Sequence, residues 1–212
     1  MTRRGGLGGW TMDYQRITAP AIEPISLDEA KEQLYLDSDF QDARVTSLIM
    51  AARTYFETQT NRRLISQSWR YSLDHYPRSS AAIVLPIGPS ISVDALKFLD
   101  TDGQTVTVDP SEYLTDLTSV RASITPALFE PWPWTVWAFH HMIPNATVVE
   151  FTAGFGAETS DVPEDIRQCL QLMVAHWYSN REPVITGVRA AAIDVPHSAT
   201  AIIDAYRIPS LG

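Results

Sequence analysis

The sequence has few cysteines, few charges and no long apolar run. Cys169 is the only cysteine among 212 residues, so no disulfide can form within the chain and a reducing compartment is favoured. Charged residues make up 19% of the chain, which leaves more surface to apolar and neutral groups and favours burial against partners. No stretch reaches the roughly 18 apolar residues of a membrane-spanning helix, and no apolar run follows the basic N-terminus. We therefore expect neither a membrane span nor a signal peptide.

Positive charge is also scarce. The chain carries 16 Lys and Arg against 25 Asp and Glu, for a net charge of −9. An acidic chain repels the phosphate backbone, which argues against tight non-specific DNA binding but leaves transient passage of DNA open. Arg62, Arg63 and Arg70 are the notable basic grouping, and an alternative interpretation as a DNA-binding packaging factor depends on them.

Patterns of catalytic and metal-binding residues are weak. His140 and His141 are adjacent, so on a strand they would point to opposite faces, and no cluster of Cys, Asp or Glu completes a zinc spacing. Cys169 lies on the apolar face of a helical segment, which favours a core position over a nucleophile. Gly154-Phe155-Gly156 lacks the third glycine of a nucleotide-binding loop and is interpreted as a turn. We expect no enzyme, no metal and no cofactor.

Helical patterns occur towards both ends of the chain. Ser26 and Glu29 have the spacing of a capping box and predict a short helix to about Leu36. A second helix is predicted over residues 39–60, closed by Asn61 in the left-handed region. Its apolar face comprises Phe40, Val45, Leu48, Ile49, Ala52, Tyr55 and Phe56. Pro163 starts a third helix that runs to about residue 181, and a short fourth helix is expected near 198–206.

Between the second and third helices the period changes from helical to two. Residues 65–73 alternate as in a strand, and shorter strands are predicted at 83–86, 91–99, 105–108, 113–114, 123–124 and 146–152. Residues 100–104 predict a hairpin turn. The predicted fold is α+β, a small helical bundle with a β-rich insertion of antiparallel strands between the second and third main helices.

The chain is accordingly divided into four segments. Residues 1–24 are predicted to be a flexible arm, since four glycines and two prolines oppose regular structure. Residues 25–65 and 157–182 form the helical core, residues 66–156 the β-rich insertion, and residues 183–212 a C-terminal docking segment.

The segment 129–139 is the most unusual stretch, with three tryptophans and two prolines. One explanation is a loop folded back over the domain's own sheet. A second is a partner interface through Trp132, Trp134 and Trp137, because tryptophan is favoured at interface hot spots. A third is a sugar-stacking platform beside nearby carboxylates, which gives the alternative function of a carbohydrate-binding or hydrolytic domain.

Several short motifs, taken in order, resemble the phage head–tail connector (adaptor) family, which includes the adaptors of gene transfer agents. The first are the run from Ser26 to Leu34, an Asp-rich turn, and Leu48-Ile49-Met50-Ala51-Ala52-Arg53. The helix end from Glu57 to Ile65 follows, with Ser66-Gln67-Ser68-Trp69 after it. Later come Phe151-Thr152-Ala153-Gly154-Phe155-Gly156, Val162-Pro163-Glu164-Asp165-Ile166-Arg167 and the run from His176 to Glu182. The resemblance spans residues 22–210.

The resemblance implies a structural, non-enzymatic role in virion assembly and DNA packaging. Such subunits form a homo-oligomeric ring of about a dozen copies through head-to-tail contacts, in the neck of a virion or phage-like particle assembled in the bacterial cytoplasm. The ring binds the portal protein, meets a stopper or tail-terminator protein, and passes DNA without sequence-specific binding. Residues implied in portal docking are Tyr206, Arg207, Ile208, Pro209 and Leu211. The outer faces of helices 39–60 and 163–181 are expected to carry the ring contacts.

Overall fold

A computed structural model describes residues 3–5, 12–78, 80–128, 130–134, 143–180 and 195–208. The chain folds into two compact units, and it passes from one to the other at Ala21/Ile22, Ile65/Ser66 and Phe155/Gly156. The first unit, here called the β unit, contains the strands, and the second, the helical unit, contains the helices. The predicted α+β class with antiparallel strands is confirmed.

The helical unit contains α1 (Leu27–Gln33), α2 (Asp42–Thr60), α3 (Glu164–Ser179) and α4 (His197–Tyr206). The predicted capping box starts α1: Ser26 Oγ accepts from the Glu29 backbone N–H at 3.1 Å, and the Glu29 carboxylate accepts from the Ser26 N–H at 2.7 Å. As predicted, Asn61 closes α2 in the left-handed region, with φ at 56°. None of the helices that the structure describes is long and apolar enough to span a membrane.

Apolar side chains on one face of each long helix build the core of this unit. The buried residues are Val45, Ile49, Ala52 and Phe56 of α2, Ile166, Leu170, Met173 and Val174 of α3, and Ala199 and Ile203 of α4. The prediction that Phe40 belongs to this apolar face is wrong, because Phe40 lies in the 3₁₀ turn Asp39–Gln41 before α2 and is 94% exposed. The tighter 3₁₀ turn changes the direction of its side chain relative to the α-helical stripe.

The β unit contains nine strands within the described residues. They are β1 (Arg3–Gly5), β2 (Met12–Thr18), β3 (Gln67–Leu73), β4 (Ile83–Val84), β5 (Ser90–Leu99), β6 (Thr105–Thr107), β7 (Tyr113–Asp116), β8 (Ser123–Pro126) and β9 (Thr147–Ala153). A six-stranded sheet has the order β1-β2-β3-β9-β5-β6, and a three-stranded sheet has the order β4-β8-β7. The strand pairs are antiparallel, and the predicted turn at residues 100–104 joins β5 to β6.

The expectation that glycine and proline keep the first 24 residues irregular is wrong for residues 12–18. Strand β2 pairs with β3 over most of its length, with Tyr14 opposite Tyr71 and Asp13 opposite Ser72. The backbone of β2 forms its hydrogen bonds with β3, a distant part of the chain, and local composition alone does not predict such pairing.

One apolar core lies between the inner faces of the two sheets. In the larger sheet Trp69 is paired with Phe151 and Tyr71 with Val149, so their side chains share the buried face. The smaller sheet contributes Ile83 and Ile124, which also form a cross-strand pair.

The opposite face of the larger sheet carries a cross-strand charge ladder. Glu150 of β9 accepts from Arg70 Nη2 of β3 at 2.8 Å and from Lys97 Nζ of β5 at 2.7 Å. These bonds, first from Lys97 and then from Arg70, hold the pKa of the Glu150 carboxyl below its usual range.

Candidate assembly surfaces

Side-chain contacts hold α4 against the start of α3 and against the residues that follow α2. The Tyr206 hydroxyl donates to the Asp165 carboxylate at 2.9 Å, and Arg62 Nε donates to the Tyr206 carbonyl at 2.7 Å. The Arg62 guanidinium also lies over the Tyr206 ring, 5.5 Å from its centroid. Burial lowers the pKa of Arg62 and raises the pKa of Tyr206.

The chain continues from α4 along the residues that close α2. The Ile208 N–H donates to the Thr60 carbonyl at 2.8 Å, and Asn61 Nδ2 donates to the Ile208 carbonyl at 3.1 Å. The Ile208 side chain is only 2% exposed, whereas Arg207 is exposed and pairs with Asp204 at 3.1 Å. Of the predicted portal-docking residues, the structure therefore brings Tyr206, Arg207 and Ile208 together beside the end of α2. Pro209 and Leu211 lie outside the described residues, and portal docking stays a prediction.

The tryptophan segment contributes to the core of the β unit. Trp132 and Trp134 are stacked, with ring centroids 4.9 Å apart, and both are 0% exposed. Trp132 Nε1 donates to the Ala81 carbonyl at 2.9 Å and Trp134 Nε1 donates to the Pro77 carbonyl at 2.8 Å. This arrangement corresponds to the folded-back segment, so a partner could reach these two indoles only if the segment opened. Trp137 lies outside the described residues, and the partner-interface role of the three tryptophans stays a prediction.

The burial of these indoles also bears on the carbohydrate alternative. A sugar-stacking platform requires an aromatic face in contact with solvent. Neither Trp132 nor Trp134 offers such a face. Trp132 and Trp134 therefore do not support a carbohydrate-binding function.

The arginines that motivated the DNA-binding alternative do not form one basic patch within a unit. Arg62 binds Tyr206, and Arg63 of the same helical unit is 6% exposed and donates to the Glu57 carbonyl at 3.0 Å. Arg70 belongs to the β unit, where Glu150 neutralises it. Each guanidinium is bound to groups of the protein itself, which leaves little for a phosphate backbone.

The remaining candidates for chemistry are structural. Cys169 is buried, its thiol contacts the Ala199 carbonyl at 3.6 Å, and burial raises its pKa to about 12. A neutral buried thiol is a poor nucleophile, as a core position predicts. The chain bends at Gly154 and Phe155, and the Gly154 N–H donates to the Pro89 carbonyl at 2.9 Å. His140 and His141 lie outside the described residues, and the described residues contain no group of metal-ligating side chains.

The loop between α1 and α2 presents two aromatic side chains that sequence analysis did not assign to a surface. Tyr35 and Phe40 are each 94% exposed, the highest values among the large apolar side chains that the structure describes. Asp and Ser occupy the positions between Leu36 and Phe40. Aromatic residues that flank such a polar turn were the available signal for an exposed loop, but the helical period of residues 40–56 obscured it.

Comparison with known proteins finds a family whose model matches part of the chain. Residues 24–119 match the model of the family described as phage gp6-like head-tail connector protein. They cover α1, α2 and strands β3 to β7. No curated protein matches the chain.

Solved structures resemble almost the whole chain. A chain in the virion of a native gene transfer agent particle is 28% identical, with a TM-score of 0.69, and the likeness covers 94% of this chain and 97% of that one. A chain in the neck of an empty gene transfer agent particle, computed with C6 symmetry, gives the same values. A chain in the neck of a native particle, computed with C12 symmetry, has a TM-score of 0.67 at the same identity and coverage.

These findings support a structural role of the connector class. Residues 24–119 match the model of the phage gp6-like head–tail connector family, and the resemblance expected from the sequence is confirmed. The likeness to chains of gene transfer agent particles covers 94% of this chain.

Proposed function

We propose that this protein is the adaptor subunit of a head–tail connector, forming a homo-oligomeric ring between the portal and the tail of a phage-like particle. The observation that carries the proposal is the likeness to chains of gene transfer agent necks over 94% of this chain. The C6 and C12 symmetries with which those necks were computed support a cyclic arrangement of identical subunits. The role is structural, and the protein acts without catalysis.

The charge of the chain supports passage of DNA through the ring. A net charge of −9 disfavours retention of a polyanion, so DNA can move past the ring without being held. Arg62 and Arg63 of the helical unit are occupied by the protein's own carbonyls and by the Tyr206 ring. The protein therefore contributes a passage rather than a binding site.

The C-terminal segment is the proposed contact with the portal. Arg207 is exposed at the end of α4 and is bound only weakly, since both members of its ion pair with Asp204 are solvated. The chain beyond it extends from the point where Ile208 is fastened to α2. A stopper or tail-terminator protein would meet the ring on its tail side.

The proposal is tested with the full-length chain and the portal protein of the same particle. We expect the two proteins to co-purify, and we expect electron microscopy to show a ring stacked on the portal. Arg207→Glu should weaken this association, whereas Arg78→Glu, which makes the same charge change at an exposed position of the β unit, should not. A chain that stays monomeric and also ignores portal rings would refute the function, while equal binding by both variants would refute only the role of Arg207.

A further inference from the structure

The outward side of α2 carries no charged residue. It comprises Ala43, Thr46, Ser47, Met50, Ala51 and Thr54, here called the outer face of α2. A helix at the surface of a soluble protein normally places charged residues opposite its apolar stripe. The outer face of α2 therefore departs from the pattern of a helix that remains in water.

All four charged residues of α2 are directed to partners within the helical unit. Asp42 binds Lys31 at 2.9 Å, and the Arg44 guanidinium lies 5.0 Å from the centroid of the Tyr178 ring. Arg53 is paired with Glu23 at 2.7 Å and with Glu57, the fourth of these residues, at 3.4 Å. The charges of the helix thus support its own fold and leave its outer face neutral.

Two of the three hydroxyl groups on this face have acceptors within the helix. Ser47 Oγ donates to the Ala43 carbonyl at 2.8 Å, and Thr54 Oγ1 donates to the Met50 carbonyl at 2.8 Å. Because these donors already have acceptors, covering them with another apolar surface leaves none of their protons unpaired. These two hydroxyls can therefore be buried at low desolvation cost.

Phe40 and Tyr35 are exposed in the loop that precedes α2. Phe40 lies in the 3₁₀ turn Asp39–Gln41, three residues before Ala43 of the outer face. Tyr35 occupies the residue after the C-cap of α1 with φ at 54°, a left-handed position where glycine is usual. Retaining an exposed tyrosine at a strained position is the kind of outlier that indicates a function for the side chain.

The loop that holds these two aromatics is ordered before any partner arrives. Lys31 Nζ bridges Asp39 at 2.6 Å and Asp42 at 2.9 Å, which ties the loop to both helices. The Leu36 N–H donates back to the Lys31 carbonyl at 3.0 Å and completes the turn around Tyr35. A pre-ordered loop loses little conformational entropy when it is covered.

We propose that Tyr35, Phe40 and the outer face of α2 form the surface that binds a second copy of this chain in the ring. The inference rests on the proposed function, because it takes its occupant from the cyclic symmetry of the similar necks. Each copy carries a net charge of −9, so contact between copies is favoured where the surface is neutral. Tyr, Phe and Met are enriched at protein interfaces, and this surface presents one of each.

The test compares two exposed alanines on helices of the full-length chain. Ala51→Glu places a charge on the outer face of α2, and Ala201→Glu makes the same change on α4. We expect Ala51→Glu to weaken self-association, measured by sedimentation velocity against protein concentration, by about tenfold or more. Ala201→Glu should assemble like the unchanged chain, and both variants should keep its thermal unfolding midpoint because both positions are exposed.

A cross-linking experiment identifies the molecule that contacts this surface. A photoreactive phenylalanine analogue at position 40, in a mixture of isotope-labelled and unlabelled copies, should give adducts that contain both kinds of chain. If the unchanged chain assembles and Ala51→Glu assembles equally well, or if position 40 reacts only with another protein, this inference fails while the connector function stands. If the unchanged chain forms no ring alone or on the portal, the proposed function fails and this inference fails with it.

Discussion

Gly156, at the start of the second part of the helical unit, is fixed by a close approach of the chain to itself. It forms a bridge with Ile65, and a Cβ added to it would overlap the Asp161 side chain. Asp161 cannot swing away freely because its Oδ2 accepts from the Glu158 N–H at 2.9 Å. The identity of residue 156 is therefore set by packing and not by a positive φ.

We expect Gly156→Ala to lower the free energy of unfolding by about 1–3 kcal/mol, the usual range for overpacking. Chemical denaturation of the variant and of the unchanged chain measures this difference. In the background Asp161→Gly, which removes the overlapping atoms, the same change should be far less harmful. Equal losses in both backgrounds would show that the overlap with Asp161 is not the cause.

Residue chemistry also explains why the tryptophan segment could not be assigned from sequence. A folded-back loop and an interface anchor both favour large amphipathic rings, so composition alone does not separate them. The deciding contacts are the carbonyls of Pro77 and Ala81, which accept from the two indole N–H groups. Those acceptors lie more than fifty residues earlier in the chain, where no local pattern marks them.

At the scale of the element, α4 acts as a cover over Cys169. The helix buries Ala199 and Ile203, and the Ala199 carbonyl contacts the thiol. A thiol with a pKa raised to about 12 reacts only when α4 leaves its place or the unit unfolds. Thiol reactivity is therefore a direct measure of how firmly the C-terminal segment is held.

We expect Ala199→Asp to increase the rate at which a thiol reagent labels Cys169 by about tenfold or more, because a buried carboxylate pushes α4 from the unit. Labelling is followed by absorbance under native conditions. Ala201→Asp is the matched control, since Ala201 is exposed on the same helix. Rapid labelling of the unchanged chain would contradict the closed position of α4.

The charge ladder across β3, β9 and β5 should make stability depend on pH. Since the pKa of Glu150 is lowered in the folded chain, its contribution is present above the ordinary value of 4.5 and is lost as the pH falls through the folded value. We expect Glu150→Gln to destabilise the chain modestly near pH 7, by about 0.5–1 kcal/mol because the ladder is partly solvated. The difference from the unchanged chain should shrink when unfolding is measured below pH 4.5. A constant difference across that range would exclude ionisation of Glu150 as its source.

Elements with strong local signals were predictable, and those that depend on distant partners were not. The capping box of Ser26 and the left-handed Asn61 are set by neighbours within a few residues, and both were predicted correctly. Strand β2 was missed because four glycines precede it and its pairing partner begins only at Gln67. The exposure of Phe40 was missed because helical periodicity does not reveal where a 3₁₀ turn replaces the first turn of the α-helix.

At the scale of the whole molecule, net charge should govern assembly. Copies that each carry −9 repel one another, and salt screens that repulsion over about 10 Å at 0.1 M. We expect higher salt concentration to shift the full-length chain towards rings, as measured by sedimentation at fixed protein concentration. Binding to duplex DNA weakens as the salt concentration rises. The same titration with added duplex DNA therefore distinguishes a ring that only lets DNA pass from a ring that binds it. Ring dissociation by salt would contradict a neutral contact surface.

The order of the motifs in the sequence indicated the resemblance to connectors. The sequence did not indicate the proposed assembly surface. Ring contacts were expected on the outer faces of the second and third helices, but the sequence did not show which residues are exposed there. That information depends on where Asp42, Arg44, Arg53 and Glu57 find their partners, and those partners come from three other parts of the chain and from α2 itself. Only the folded unit shows that all the charge of α2 faces inward.

The alternation of the chain between its two units has a consequence for synthesis on the ribosome. Helices α1 and α2 emerge before β3 to β9, and α3 begins only at Glu164. At ordinary translation rates the first two helices wait on the order of ten seconds for the helix that covers their apolar faces. Strands β3 to β9 are thus made before α3, and the helical unit closes only after α3 and α4 have been made. In the proposed ring, a chain that ends before α3 would lack the helices that cover α1 and α2 and could not join.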